Sequence, residues 1–308
     1  DIFVTVYANV IGPGTADIAH YAFTVPPELA GQNLTLQARL LWRKFDRAYT
    51  EFAFQANPQG FKRFDETPDL PITEIAADQV TLLVAAPASA SLTPVVPVSA
   101  DETDASEWVR YNDYGIGLLM ERDTRGAARA FERVATLQPK RLDGPLNLAK
   151  TALQDGNLDK AYAYLRPCEE IRAGDPRVAW VWGRVRQEDG LYEDAAAAYE
   201  YVLASFPEDR AAWRFLGRTY YLDQQYEKSV NAYQKVLEID PEDREAHYHL
   251  MLNYRALGRD EDAQRAEEAF AFHQIDESAS EVARRYRLQH PGDNLMTQGI
   301  RTHKLELK

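Results

Sequence analysis

The chain has 308 residues, 45% of them hydrophobic and 27% charged, and 48 Asp and Glu against 35 Lys and Arg give a formal charge of −13. That length holds two domains with cores of their own, and the acidic balance argues against generic nucleic-acid binding. One cysteine, Cys168, leaves no internal disulfide, CxxC or CxxCH site, and no apolar run reaches the length of a membrane span.

The first part of the chain reads as strands. Ile2, Val4, Val6, Ala8 and Val10 alternate with Phe3, Thr5, Tyr7 and Asn9 up to a Gly-Pro-Gly turn at Gly12–Gly14, the period of a strand with one apolar face. Ala19 to Val25 alternates again, Asn33 to Phe45 makes a third and longer run, and Tyr49 to Phe54 and Gln79 to Val84 add two shorter ones. Together they predict an antiparallel β-sandwich-like domain over residues 1–85, with Asn57 to Asp78 as an excursion outside its core. Residues 86–107, rich in Ala, Pro and Ser and then acidic, read as a linker.

From Trp108 one pattern returns every 34 residues, starting again at Leu142, Pro176, Arg210 and Arg244. Its eighth place holds Gly115, Ala149, Gly183, Gly217 and Met251, and its twentieth holds Ala127, Ala161, Ala195, Ser229 and Ala263. Small residues at those places let two antiparallel helices cross closely. Pro139, Pro207 and Pro241 end the second helix of their units, since proline lacks an amide hydrogen and disfavours helix in the residue before it. Residues 108–277 therefore predict an all-α solenoid of five helical hairpins in a multidomain α+β chain. Residues 278–308 follow as a capping helix, opened by the capping box Ser278 with Glu281, and an extended tail.

The fourth unit carries Trp213, Leu216, Gly217, Tyr220, Ser229, Tyr233 and Pro241, and the block resembles the tetratricopeptide repeat. The second and fifth units depart most, with Pro145, Ala173, Met251 and Glu267 at signature places. The resemblance implies a concave groove lined by places two, five, nine and twelve of each first helix. Those places hold Lys150, Arg184 and Arg218 in a row, together with Arg177, Trp180, Arg214, Tyr221, Tyr248 and Arg255. Cations gathered against the sign of the whole chain point to a protein partner with an acidic, carboxylate-bearing or extended segment, with the aromatics as apolar anchors. The competing reading is that these cations pair with acidic neighbours. The chaperone-binding type of groove has Asn at place nine, so its specificity is not implied here.

Leu40-Leu41-Trp42-Arg43-Lys44-Phe45, Phe52-Ala53-Phe54, Pro68-Asp69-Leu70-Pro71-Ile72 and His290-Pro291-Gly292-Asp293-Asn294-Leu295, read around the repeats, resemble the C-terminal part of bacterial multihaem c-type cytochromes that carry tetratricopeptide repeats. That resemblance implies export to a bacterial periplasm or cell surface, the cytoplasm being the alternative. It also implies a role as the haem-free portion of an electron-transfer assembly. Without CxxCH the chain binds no c-type haem covalently, so haem would come only through a partner. A chain opening at Asp1 is expected to be a processed product or part of a longer polypeptide.

No catalytic set is legible and no enzyme is expected. His247 and His249, two apart on a predicted helix, lack the spacing of metal ligands; His247 reads as core and His249 as facing the next repeat. The acidic runs Asp101–Asp104 and Asp240–Glu245 read as solvated loops, and Cys168 reads as a small buried residue.

Overall fold

The computed structural model describes residues 16–45, 47–55, 66–85, 107–273, 285, 288–289 and 302–304. They divide into two units, one holding residues 23–85 and the other residues 16–22 with everything from 107 onward. Four strands are described, β1 (His20–Ala22), β2 (Asn33–Trp42), β3 (Thr73–Leu83) and β4 (Thr302–Lys304), with helix α1 (Arg47–Gln55) between β2 and β3.

In the smaller unit β2 and β3 form an antiparallel pair with an irregularity between Leu40 and Leu41. Leu34 and Leu36 lie across from Leu82 and Val80 on one face. On the other the hydroxyls of Thr35 and Thr81 meet at 3.0 Å, and Arg39 Nε donates to Glu74 at 2.8 Å. The expected sandwich is not formed by the described residues: this sheet has two strands, and no described residue of the unit is buried. Alternation specifies a strand's two faces but not how many strands join it.

The run Tyr49 to Phe54, expected as a strand, is part of helix α1. Tyr49, Phe52 and Ala53 also recur at helical spacing, and Arg47 Nε donates to Glu51 one turn on at 2.7 Å. Strand β3 starts inside the stretch expected as an excursion. The strand expected at Ile2–Val10 and most of the linker lie outside the described residues, as does the capping helix apart from residues 285, 288 and 289, which are helical.

The larger unit is a run of helix pairs. They are α2 (Glu107–Met120) with α3 (Thr124–Leu137), α4 (Asp143–Gln154) with α5 (Leu158–Ile171), α6 (Pro176–Glu188) with α7 (Tyr192–Ser205), α8 (Arg210–Leu222) with α9 (Tyr226–Ile239), and α10 (Arg244–Ala256) with α11 (Asp260–Phe272). Within a pair, the glycine at place eight lies against the ring at place twenty-four. A Cβ on Gly115, Gly183 or Gly217 would come within 2.6, 2.7 or 2.8 Å of the ring of Phe131, Tyr199 or Tyr233, closer than carbon atoms approach without displacement. Those three rings are fully buried.

The turn between the two helices repeats as well. Place fifteen has positive φ in all five units, at Arg122 (66°), Gly156 (73°), Gly190 (77°), Gln224 (59°) and Gly258 (70°). The residue after it donates back to the last helical turn, as Asn157 does to Ala152 and Gln225 to Tyr220, both at 2.8 Å, which closes a left-handed helix cap. Arg122 and Gln224 hold this conformation at a steric cost that glycine does not carry.

Successive pairs are joined by a buried polar contact at one joint and not at the next. Tyr199 Oη donates to Gln187 Oε1 at 3.1 Å, and Thr219 Oγ1 donates to the same oxygen at 3.2 Å. One repeat on, Tyr221 and Asn253 occupy the places of Gln187 and Thr219, and the buried atoms Tyr233 Oη and Asn253 Oδ1 have no hydrogen-bond partner. At the other end of the array, Ile18 sits against Gly117, where a Cβ would meet it at 2.7 Å, and His20 Nε2 is 2.9 Å from Glu121 Oε2. Strand β1, which follows, pairs in parallel with β4. Residues 16–22 thus go with the helices rather than with the hairpin.

Gln224→Gly is expected to raise stability by about 0.5–1 kcal/mol in denaturant titration, by removing a side chain from the left-handed region. Tyr199→Phe should cost about 1 kcal/mol by the same measurement, while Tyr233→Phe, which removes a hydroxyl with no partner, should cost nothing or stabilise.

Candidate functional site

Helices α4, α6, α8 and α10 carry the residues singled out in the sequence, and the structure sorts their six cations into two sets. Arg177 Nε and Nη2 donate to the two oxygens of Asp175 at 3.0 and 2.9 Å. Arg214 Nε donates to Asp243 at 2.7 Å, and its Nη1 is 3.3 Å from Glu245. Arg255 Nη2 donates to Glu267 at 2.7 Å. These three are neutralised, as the competing reading expected.

Lys150, Arg184 and Arg218, the three cations at place nine, make no ion pair among the described residues. Lys150 Nζ donates to the neutral Asn147 side chain at 3.3 Å. Partial loss of hydration beside its neighbours, and then the Arg177 cation, hold its ammonium below the ordinary lysine range against the opposing pull of Asp143, although the residue keeps contact with solvent. Arg184 lies over the Phe215 ring, 4.4 Å from its centroid, and its buried Nε has no hydrogen-bond partner. Arg218 is exposed.

Two of these cations share a cavity. About 540 Å³ in volume, it is lined by Lys150 and Leu153 from α4, by Trp180, Val181 and Arg184 from α6, and by Leu158 at the start of α5, among others. Trp180 is fixed by edge-on contacts with Tyr199 and Phe215, at centroid distances of 5.5 and 5.1 Å. Glu188, one turn beyond Arg184, also lines the cavity. Leu153 lies at place twelve, a groove place in the sequence, whereas Glu188 and Leu158 were not legible there, because only the fold brings places thirteen and seventeen beside place nine.

At the other end of the row the surroundings are aromatic. His249 stacks on Tyr233 at 4.8 Å and 7° between planes, with Tyr221 at 6.2 Å and Tyr248 at 5.5 Å. Tyr226 is 5.7 Å from Tyr221, and Tyr248 is 39% exposed. Burial lowers the His249 pKa against the pull of Glu245, and Arg218 lowers it further, which favours the neutral ring. His249, expected to face the next repeat, packs instead on the preceding one through Tyr233. His247 is half-buried, bonded through Nε2 to Pro241 O at 2.9 Å and stacked on His273.

The run Asp240–Glu245, expected as a solvated loop, contains the buried Asp243, 3% exposed. Asp243 is the N-cap of α10, as Asp175 and Asp209 are of α6 and α8, each accepting a backbone amide of the first turn. Cys168 is buried, its thiol pushed up to about 11 chiefly by that burial and its Sγ donating to Tyr164 O at 3.3 Å. Among the described residues no group of three or more His, Cys, Asp or Glu converges in a way that could hold a metal ion. None of their helices is long and apolar enough to cross a membrane.

Antiparallel helix pairs stacked at a 34-residue interval define a helical-repeat solenoid. Residues 118–179 and 181–244 each match a family model of the tetratricopeptide repeat, so the stretch they span is built of tetratricopeptide repeats. Solved structures of MamA share the fold. An RS-1 MamA double mutant has a TM-score of 0.50 at 20% identity, the match covering 57% of this chain and 96% of that one. A MamA from Desulfovibrio magneticus RS-1, resolved from residue 41 to its end, has a TM-score of 0.48 at 23% identity, covering 57% and 95%. No curated protein matches the chain.

The Arg177 guanidinium bonded to Asp175 holds that carboxyl down to about 2, below the ordinary aspartate value near 3.9. A depressed folded-state pKa gives stability that is present above about pH 4 and lost as pH falls through about 2. Asp175→Asn, which keeps the cap but loses the charge, is expected to lower Tm at pH 7. In thermal melts at stepped pH, its deficit should shrink steadily below pH 4.

Proposed function

We propose that the chain is a non-catalytic protein–protein interaction scaffold whose repeat groove binds an acidic or carboxylate-bearing segment of a partner protein. Three of the six groove cations are neutralised by the fold: Arg177, Arg214 and Arg255 each have a carboxylate within hydrogen-bond reach. The observation that carries the reading is the row at place nine. Lys150, Arg184 and Arg218 have no such carboxylate among the described residues, and although Arg184 rests on the Phe215 ring, the charges of the row are left uncompensated. A ligand carboxylate would satisfy Arg184 with paired hydrogen bonds and Lys150 as a point charge. Trp180, Tyr221 and Tyr248 offer apolar surface beside them.

The alternative, a haem-free part of a multihaem cytochrome assembly exported to the bacterial envelope, rests on the short motifs outside the repeats. Nothing in the comparisons supports it. An absorption spectrum of the native complex would bring it back if a haem-bearing partner co-purified.

A Glu-rich octapeptide titrated against the full chain tests the groove. Arg184→Glu and Arg218→Glu should each weaken binding about tenfold, equivalent to about 1.4 kcal/mol, and together abolish it. Arg255→Gln, which removes a cation already paired, should change affinity less than about twofold. Unchanged affinity in the double variant would remove the groove assignment.

A further inference from the structure

Resting on the reading above, we infer that the groove recognises one extended peptide with two apolar anchors of different kind, an aliphatic residue and an aromatic residue about six positions apart, with its acidic residues between them.

The two ends of the cation row are the same joint built in two chemistries. Where α4 meets α6, places twelve, seventeen, five and six are Leu153, Leu158, Trp180 and Val181, and the space between them is the 540 Å³ cavity. Where α8 meets α10, the same places are Tyr221, Tyr226, Tyr248 and His249, with ring centroids 5.7 Å apart for Tyr221 and Tyr226, 6.2 Å for Tyr221 and His249, and 5.5 Å for Tyr248 and His249. The first joint sets the aliphatic side chains Leu153, Leu158 and Val181 beside a single ring, Trp180, in a space roomy enough for an aliphatic anchor. The second presents partly exposed ring faces and edges, against which another ring gains an offset or edge-on contact.

Charge then places the acidic residues. Arg184 closes the aliphatic joint on the side of α8, and Arg218 lies on α8 itself. Glu188 lines the same cavity and repels an acidic residue set deep in it, so the ligand's carboxylates belong over Arg184 and Arg218, between the anchors. Spacing follows from geometry. Packed helices lie about 8–10 Å apart, so the two joints, two repeats apart, are separated by about 20 Å. An extended chain advances about 3.3 Å per residue, which puts about six residues between anchors.

The test uses the full chain and three synthetic peptides of equal length and equal Glu content. One carries Leu and Phe six positions apart with Glu between, one carries them three apart, and one has Ser at both anchor positions. The six-spaced peptide is expected to bind about tenfold or more tighter than the Ser peptide, and the three-spaced peptide to gain less than half of that factor on a logarithmic scale. Tyr248→Ala should remove the part of the gain that a Phe→Ser peptide also loses, and Leu153→Ala the part that a Leu→Ser peptide loses. Unchanged circular-dichroism melts would show that both variants fold. Equal affinity for all three peptides, or an equal gain at both spacings, would overturn the two-anchor inference while leaving the acidic-groove reading in place. No binding of any of the three would overturn both.

Discussion

A glycine beneath an aromatic ring decides how near the two helices of a repeat can come. In the first, third and fourth repeats the ring of Phe131, Tyr199 or Tyr233 fills the space that a Cβ on Gly115, Gly183 or Gly217 would occupy. The other two repeats differ at the same two places. Ala149 accompanies Leu165, both fully buried in one core cluster, and Met251 accompanies Glu267. In the second repeat the summed volume at the seam is kept, as close packing requires, while in the fifth Glu267 is exposed and the buried Met251 alone takes the place of glycine and ring. Because the seam sets the helix pair, it also sets which places of the first helix turn toward the neighbouring repeat.

The same constraint separates structural charge from the rest. Asp175 and Asp243 are needed as helix caps at the start of α6 and α10, and a capping carboxylate that is buried calls for a cation beside it. Arg177 and Arg214 meet that need, and Glu267 meets Arg255 across the last helix pair. Place nine has no cap within reach. Its cations border a cavity with Leu and Trp walls at one end and a ring cluster at the other, in a chain that is otherwise acidic. A row of charges that no carboxylate of the described residues pairs with is the feature a ligand can use.

Much of this was legible in the order of residues. The repeat starts at 176, 210 and 244 coincide with the first residues of α6, α8 and α10, and those at 108 and 142 fall one residue from the starts of α2 and α4, because period and proline punctuation are local signals. What was not legible depends on contacts. Place fifteen escaped notice because Arg122 and Gln224 interrupt its glycines, although all five residues share one backbone conformation. Asp243 looked like loop charge because a cap is distinguished from a solvated acid only by burial. Tyr49 to Phe54 satisfied both strand and helix spacing, and the hairpin's alternation did not tell how many strands would join it. Of the nine proposed groove residues the sequence placed all on first helices, but it could not tell which cations were already paired.

The central claim, that the charges of Lys150 and Arg218 at place nine are not used by the fold, can be tested without any ligand. Thermal unfolding of the free chain is measured for Lys150→Gln, Arg218→Gln and Arg214→Gln. The account predicts that the first two leave stability unchanged or raise it slightly, by relieving repulsion among neighbouring cations, while Arg214→Gln costs about 2 kcal/mol by stripping the buried Asp243 of its partner. A loss at Lys150 or Arg218 as large as that at Arg214 would contradict it, since those cations would then belong to the scaffold and not to a binding surface.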